Sequence, residues 1–166
     1  RLYPTAVKRL KPNWATMCKE DPELTDLVSD ADLYDFLVEC RALLRGYFEM
    51  ENPQGFDAHE CEMYVDTVLP NGVPVRGFID RVDIAPTGQV RVVDYKTGKK
   101  PKPQWSQQAQ FQMRFYALVY WRLFDVVPTQ LRLMYLKVID SMFLTPSTEE
   151  LEFFERDLGD LWAKIE

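Results

Sequence analysis

The chain has 166 residues, of which 46% are hydrophobic and 13% aromatic; that suits one domain with a real core and excludes global disorder. Its 26 acidic and 20 basic residues leave a net charge of −6, so any contact with nucleic acid has to rest on a local patch. No apolar run approaches the ~18 residues of a membrane span, and residues 1–10 lack the apolar stretch of a signal peptide. The chain does not begin with methionine, which points to a processed or partial chain.

Residues 1–28 carry prolines at 4, 12 and 22 and read as short helices or irregular structure. Ser29, Asp30 and Asp32 then open an amphipathic helix over about residues 30–49, with Leu33, Phe36, Leu37, Cys40, Leu43, Leu44 and Tyr47 at three- and four-residue spacing. Asn52-Pro53-Gln54-Gly55 breaks it. Residues 60–68 alternate as a strand, with Cys61, Met63, Val65 and Thr67 on one face and Glu60, Glu62, Tyr64 and Asp66 on the other. A turn at Leu69-Pro70-Asn71-Gly72 leads to a second strand over 73–84, and Ala85 to Gln89 turns the chain into a third over 90–96. A long helix is predicted over about 104–125, stopped by Pro128, then a fourth strand over 130–139 and a short one at 142–144. Ser147 and Glu150 form a capping-box pattern ahead of a last helix through Leu151, Phe154, Leu158, Leu161 and Trp162. This order predicts an α/β layer with a mixed sheet.

Cys18, Cys40 and Cys61 are widely spaced and odd in number, which argues against a disulfide framework and a cysteine zinc site and favours a reducing, cytoplasmic setting.

The chemistry lies in the hairpin centred on Thr87. In that register positions summing to 174 face each other: Asp83 meets Arg91 as a cross-strand charge pair, and Asp80 meets Asp94. Opposed side chains have Cβ atoms about 4.5–5.5 Å apart, so the two carboxylates repel unless protonated or bridged by a cation. Lys96, two residues past Asp94, shares its face. Two acids and an ammonium so placed suit a divalent ion with oxygen ligands, such as Mg²⁺, and a phosphodiester substrate.

The strings GFIDRVD (77–83), VVDYKTGK (92–99) and QMRFYAL (112–118) resemble the signature of RecB-type nucleases of the PD-(D/E)XK family. The resemblance implies a restriction-endonuclease-like core with a central mixed sheet flanked by helices. One domain over 1–166 is expected, with a helical N-terminal part at 1–55, the nuclease core at 56–145 and a C-terminal helix at 146–166. It implies a deoxyribonuclease using Mg²⁺ or Mn²⁺, with Asp80, Asp94 and the Tyr95 carbonyl on the metal and Lys96 catalytic. Gln112 and Tyr116 match the family's QxxxY element and share a helix face. The family's acid on the preceding strand falls on Glu62, with Glu60 second; a three-residue loop at 70–72 sets Glu62 opposite Asp80, a two-residue loop does not. His59, the one histidine, lies in a loop and not where many members carry a metal-binding histidine. An iron–sulfur cluster, found in some members, is expected only in a longer native chain. DNA repair or recombination beside a helicase, with no membrane involvement, is the implied setting; a non-catalytic DNA-binding or scaffolding module of the same fold is the alternative.

Lys99, Lys100 and Lys102 follow Lys96 on the loop leaving the third strand, with Trp105 just beyond. Lysines neutralise phosphates and an exposed aromatic can stack on a base, so this loop is the candidate DNA contact.

Overall fold

A computed structural model of the chain describes residues 2–165; Arg1 and Glu166, the outer ends of the expected N- and C-terminal parts, lie outside the described residues. Five strands form one mixed sheet in the order β1 (Glu60–Val68), β2 (Pro74–Ile84), β3 (Val90–Lys96), β4 (Gln130–Tyr135) and β5 (Asp140–Leu144). All neighbours are antiparallel except β3 and β4, which run parallel and are joined through α4 (Gln107–Phe124). The expected α/β architecture with a mixed sheet flanked by helices is the observed one.

The N-terminal segment departs from expectation. It forms one helix, α1 (Leu2–Glu20), with Pro12 inside it, and then a four-residue helix, α2 (Leu24–Leu27). Pro4 sits in the first turn, where a missing N–H is tolerated. Pro12 removes one internal hydrogen bond, but the helix is held from outside. Tyr3 packs on Phe48 and Trp14 on Phe36, with ring centroids 6.1 and 4.8 Å apart, so α1 lies along α3 (Leu33–Met50). Tertiary packing overrides the proline signal. α3 itself starts three residues later than predicted, because the Asp32 amide donates to Ser29 Oγ and Ser29–Asp32 closes a separate turn.

Further along, α4 begins at Gln107 after a 3₁₀ turn at Pro103–Trp105, not at residue 104. It ends where Asp125 adopts a left-handed backbone (φ 56°), three residues before Pro128. The strand predicted over 130–139 stops at Tyr135: residues 136–139 form the turn of a β4–β5 hairpin whose last pair is Tyr135 and Asp140. Val138 and Ile139, which make that stretch look like a strand, are exposed turn residues. The last helix, α5 (Thr148–Ala163), opens on the expected reciprocal cap between Ser147 and Glu150.

One side of the sheet is closed by α4 and α5. Val82, Val92, Leu131 and Leu133 join Met113, Ala117, Leu118 and Leu151 in a single apolar core. The other side, toward α3, is more polar and is described with the site below. α3 reaches the sheet through Gly46: a Cβ there would overlap the backbone carbonyl of Leu136 in the β4–β5 turn. Gly46→Ala is therefore expected to destabilise the fold by about 2–3 kcal/mol, as overpacking against rigid backbone does, measured by urea unfolding. Gly98→Ala, at a position with open space around it, should leave stability within about 1 kcal/mol of the parent.

Candidate active site

The β2–β3 hairpin has the predicted register: Arg81 pairs with Val93, Val82 with Val92, Asp83 with Arg91 and Ile84 with Val90. The ladder ends there. Asp80 and Asp94 are the next positions, but they are not ladder partners. Instead the Tyr95 amide donates to Asp80 Oδ2 at 2.8 Å. The strands part at this point, and a side chain takes up a backbone donor that the ladder leaves free. The core-facing residues of β2 change parity across the same point, from Val75 and Ile79 before it to Val82 after it.

Asp94 is buried. Burial pushes its carboxyl above the usual carboxylate range; Lys96 opposes this, and the neighbouring charge and hydrogen bonding of Asp80 reinforce it. The Lys96 ammonium lies 2.8 Å from Asp94 Oδ2, yet that oxygen accepts no properly oriented hydrogen bond. Lys96 Nζ donates instead to Gln112 Oε1 at 2.6 Å, and Gln112 Nε2 donates to Asp94 Oδ1 at 3.4 Å. Asp80, Asp94, Lys96 and Gln112 thus converge where the strands separate, with Gln112 supplied by α4. Tyr116, one turn further along α4, lies against Gly77 and Phe115 and packs on the apolar core.

Two neighbouring carboxylates, the buried one raised by burial and by the charge of the other, are a donor pair that fits a hard divalent cation. The donor set is small. Among the described residues no group of three or more His, Cys, Asp or Glu side chains lies close enough to share an ion. The β1–β2 loop has three residues, since Leu69 pairs with Val73, and the register sums to 142, which sets Glu62 across from Asp80 by count. Glu62 nevertheless drops out of the ladder with a left-handed backbone (φ 51°) and is exposed. Glu60 pairs with Val82 and is exposed as well. His59 is an exposed residue whose amide donates to the Val82 carbonyl.

The reverse face of the same strands carries a cluster that sequence reasoning missed. Arg81, 3% exposed, donates to both oxygens of Glu51 at 2.7 and 3.0 Å and to the Tyr95 hydroxyl at 2.6 Å. Asp83 receives Arg81 and Arg91, and Arg132 Nη1 lies 3.5 Å from Glu51. Tyr47 of α3 meets Tyr95 edge to face, and burial pushes the Tyr95 phenol up to about 12. β3 is therefore clamped from behind through Tyr95, the residue between Asp94 and Lys96. The available signal was the alternation of Asp80 and Arg81 to opposite sides, at which the charge pair of Asp83 with Arg91 already hints.

The candidate DNA loop divides. Lys100 Nζ donates to Asp140 Oδ2 at 2.7 Å and to the Ser141 carbonyl at 3.2 Å, so it ties the loop to β5. Lys99 and Lys102 are exposed, and Trp105 is 73% exposed. Lys96, Lys99, Trp105, Gln108, Gln112 and Tyr135 line an open groove of ≈310 Å³ beside the carboxylates. Cys18, Cys40 and Cys61 are unpaired.

Compared with known families, residues 12–166 match the PD-(D/E)XK nuclease superfamily. The chain belongs to that superfamily. No curated protein matches it, while 24 solved chains do. One, described as "Crystal structure of SSO0001", has a TM-score of 0.45 and 18% identity, and covers 87% of this chain and 67% of that one. Among the described residues no helix of this superfamily member is long and apolar enough to cross a membrane.

The clamp behind the site gives a measurable expectation. Burial by itself raises the Glu51 carboxyl, but hydrogen bonding and charge from Arg81, with charge from Arg132, outweigh it and hold Glu51 below its usual value. A lowered folded value means that the ionised form stabilises the fold above the unfolded pKa, about 4.3, and that this contribution is lost as pH falls through the folded value. Glu51→Ala should lose about 3 kcal/mol at neutral pH, because Arg81 is left buried with less compensation. The difference from the parent, read by urea unfolding, should shrink below pH ~4.

Proposed function

We propose that this chain is a Mg²⁺- or Mn²⁺-dependent DNA nuclease of the RecB type, hydrolysing phosphodiester bonds in an exonuclease-like manner. The observation that carries the reading is the buried Asp94 carboxylate, ion-paired with Lys96 and set beside Asp80 at the point where β2 and β3 part. Asp80, Asp94 and the Tyr95 carbonyl would hold the ion, with Glu62, across from Asp80 by register count, as the further acid. When bound, the ion lowers the pKa of a coordinated water and polarises the scissile phosphate.

The chain's own residues supply the rest. Lys96 places a positive charge beside the site, where it can stabilise charge developing on a phosphoryl oxygen or orient the attacking water. Gln112 fixes the ammonium and contacts the other oxygen of Asp94, so it positions both groups. Tyr116 backs the β2 segment that carries Asp80. Trp105, Lys99 and Lys102 offer a stacking surface and cations for a strand lying in the groove, with Lys100 holding the loop. The resemblance of 77–83 and 92–99 to RecB-type motifs supports DNA repair or recombination beside a helicase, and the unpaired cysteines support a cytoplasmic setting.

The test uses linear single- and double-stranded DNA with Mn²⁺. The parent should cleave. Asp94→Asn and Lys96→Met should each lower cleavage by at least about 10²-fold. Mn²⁺ at about a hundred times its Kd should add about 2.7 kcal/mol to the stability of the parent, and Asp94→Asn should lose that gain. A parent that binds DNA without cutting it would replace this reading by the non-catalytic module. A parent that neither cuts DNA nor is stabilised by Mn²⁺ would remove both.

A further inference from the structure

The end of β3 meets a second feature that the nuclease motifs do not include. The Leu136 amide, first in the β4–β5 turn, donates to the Lys96 carbonyl at 3.0 Å. This turn is therefore fastened directly to the residue that bears the ammonium. It is a strained turn: Ile139 adopts φ 54°, a region that β-branched residues avoid. It is also closely seated, since only glycine at position 46 lets α3 come down on the Leu136 carbonyl. Two independent backbone demands thus serve to hold residues 136–139 against α3.

That junction brings cations together. Arg41 and Arg45, one turn apart on α3, line an open groove of ≈350 Å³ with Lys137 of the turn; Tyr3, Val38 and Ile139 are among its other lining residues. Among the described residues, no acidic group within ion-pair distance is found for Arg41, Arg45 or Lys137. Like charges at this helical spacing repel. Both guanidiniums crowd one oxygen: desolvation raises the Tyr3 phenol, but Arg41 and Arg45 outweigh it and hold the phenol below its usual value. Lys137 also borders a neighbouring cleft with Thr97, the residue after Lys96, and Glu39 is the acid in that cleft. Lys137 thus stands between the end of β3 at Thr97 and the two arginines of α3, in a chain whose net charge is −6.

We propose that Arg41, Arg45 and Lys137 form a phosphate-binding track for the DNA strand on the α3 side of the site, opposite the Lys99–Trp105 groove. This assignment rests on the nuclease reading for the identity of the strand. Three uncompensated cations gain by neutralising phosphates and releasing the counterions condensed on them. The apolar walls from Tyr3, Val38 and Ile139 suit the sugar and base edges of a strand better than they suit a fully hydrated small anion. Together the two grooves would hold the strand on both sides of the scissile bond.

The experiment measures binding of a fluorescein-labelled single-stranded oligonucleotide in Ca²⁺ across a KCl series, with cleavage scored separately in Mn²⁺. Every phosphate that the protein no longer neutralises lowers the slope of log K against log[KCl] by about 0.7 for single strands. Arg41→Ala/Arg45→Ala should therefore lower the slope by about 1.4 and weaken binding at low salt at least about tenfold. Arg41→Lys/Arg45→Lys should restore most of the slope, because a lysine also neutralises a phosphate. Both arginines are exposed, so melting temperatures should stay at the parent value and exclude a folding defect. An unchanged slope in the alanine pair would overturn the proposal. So would a parent without measurable DNA binding, or one whose arginine-dependent binding is to phosphatidylserine vesicles and not to DNA. The outcomes separate from the nuclease reading: arginine-dependent binding without cleavage keeps the track and removes the nuclease. Cleavage with an unaltered slope does the reverse.

Discussion

The site depends on the place where two antiparallel strands stop pairing. Four ladder pairs join β2 to β3 and then end at Arg81 and Val93. Continued pairing would satisfy the backbone and leave Asp80 and Asp94 as an opposed, repelling pair. Here the Asp80 carboxylate takes the Tyr95 amide. That bond satisfies a backbone donor, anchors Asp80 and opens room beside Asp94. The same parting changes which residues of β2 face the core, from Val75 and Ile79 before it to Val82 after it, and the polar clamp under α3 begins beside it at Arg81.

The two faces do different things there. On the α4 side Asp94, Lys96 and Gln112 form a mutually contacting set in which the Lys96 ammonium faces one Asp94 oxygen as an ion pair and Gln112 donates to the other. On the α3 side Arg81 donates to Glu51 and the Tyr95 hydroxyl and is ion-paired with Asp83. Tyr95 belongs to both, its amide on one side and its ring on the other. A buried ion pair is weak evidence for stability in itself. Its use in this fold is geometric, since it fixes the residue between Asp94 and Lys96 and thereby the direction of both.

Much of this was legible in the chain. Alternation and turn residues gave β1, β2 and β3, and centring the hairpin on Thr87 gave a register that the Asp83–Arg91 pair bears out. The Ser147–Glu150 pattern located the start of α5 because a reciprocal cap is a local interaction. What stayed hidden depended on partners distant in sequence. α1 persists across Pro12 through Trp14 on Phe36 and Tyr3 on Phe48. Val138 and Ile139 look like strand but turn, because Leu136 is drawn to the Lys96 carbonyl and α3 closes over it. Glu51 lies 30 residues before Arg81, beyond anything periodicity can relate. The left-handed backbone at Glu62 has no sequence mark at all, since neither glycine nor asparagine stands there.

Taken alone, a net charge of −6 counts against a nucleic-acid partner. The structure gives it a different meaning. Several basic residues are already engaged within the fold: Arg81 and Arg132 with Glu51, Arg91 with Asp83, Arg122 with Glu155 and Lys100 with Asp140. Paired in this way, they add little to the field of the molecule at a distance. What governs contact with a phosphate strand is the set of cations without such partners, and several of those line the groove at Lys99 and Trp105 and the groove at Arg41 and Arg45. A net negative charge disfavours a phosphate strand in general, so such a strand would be held only where cations are uncompensated. Negative overall charge and local phosphate binding are then compatible, and the first sharpens the second by disfavouring every other approach.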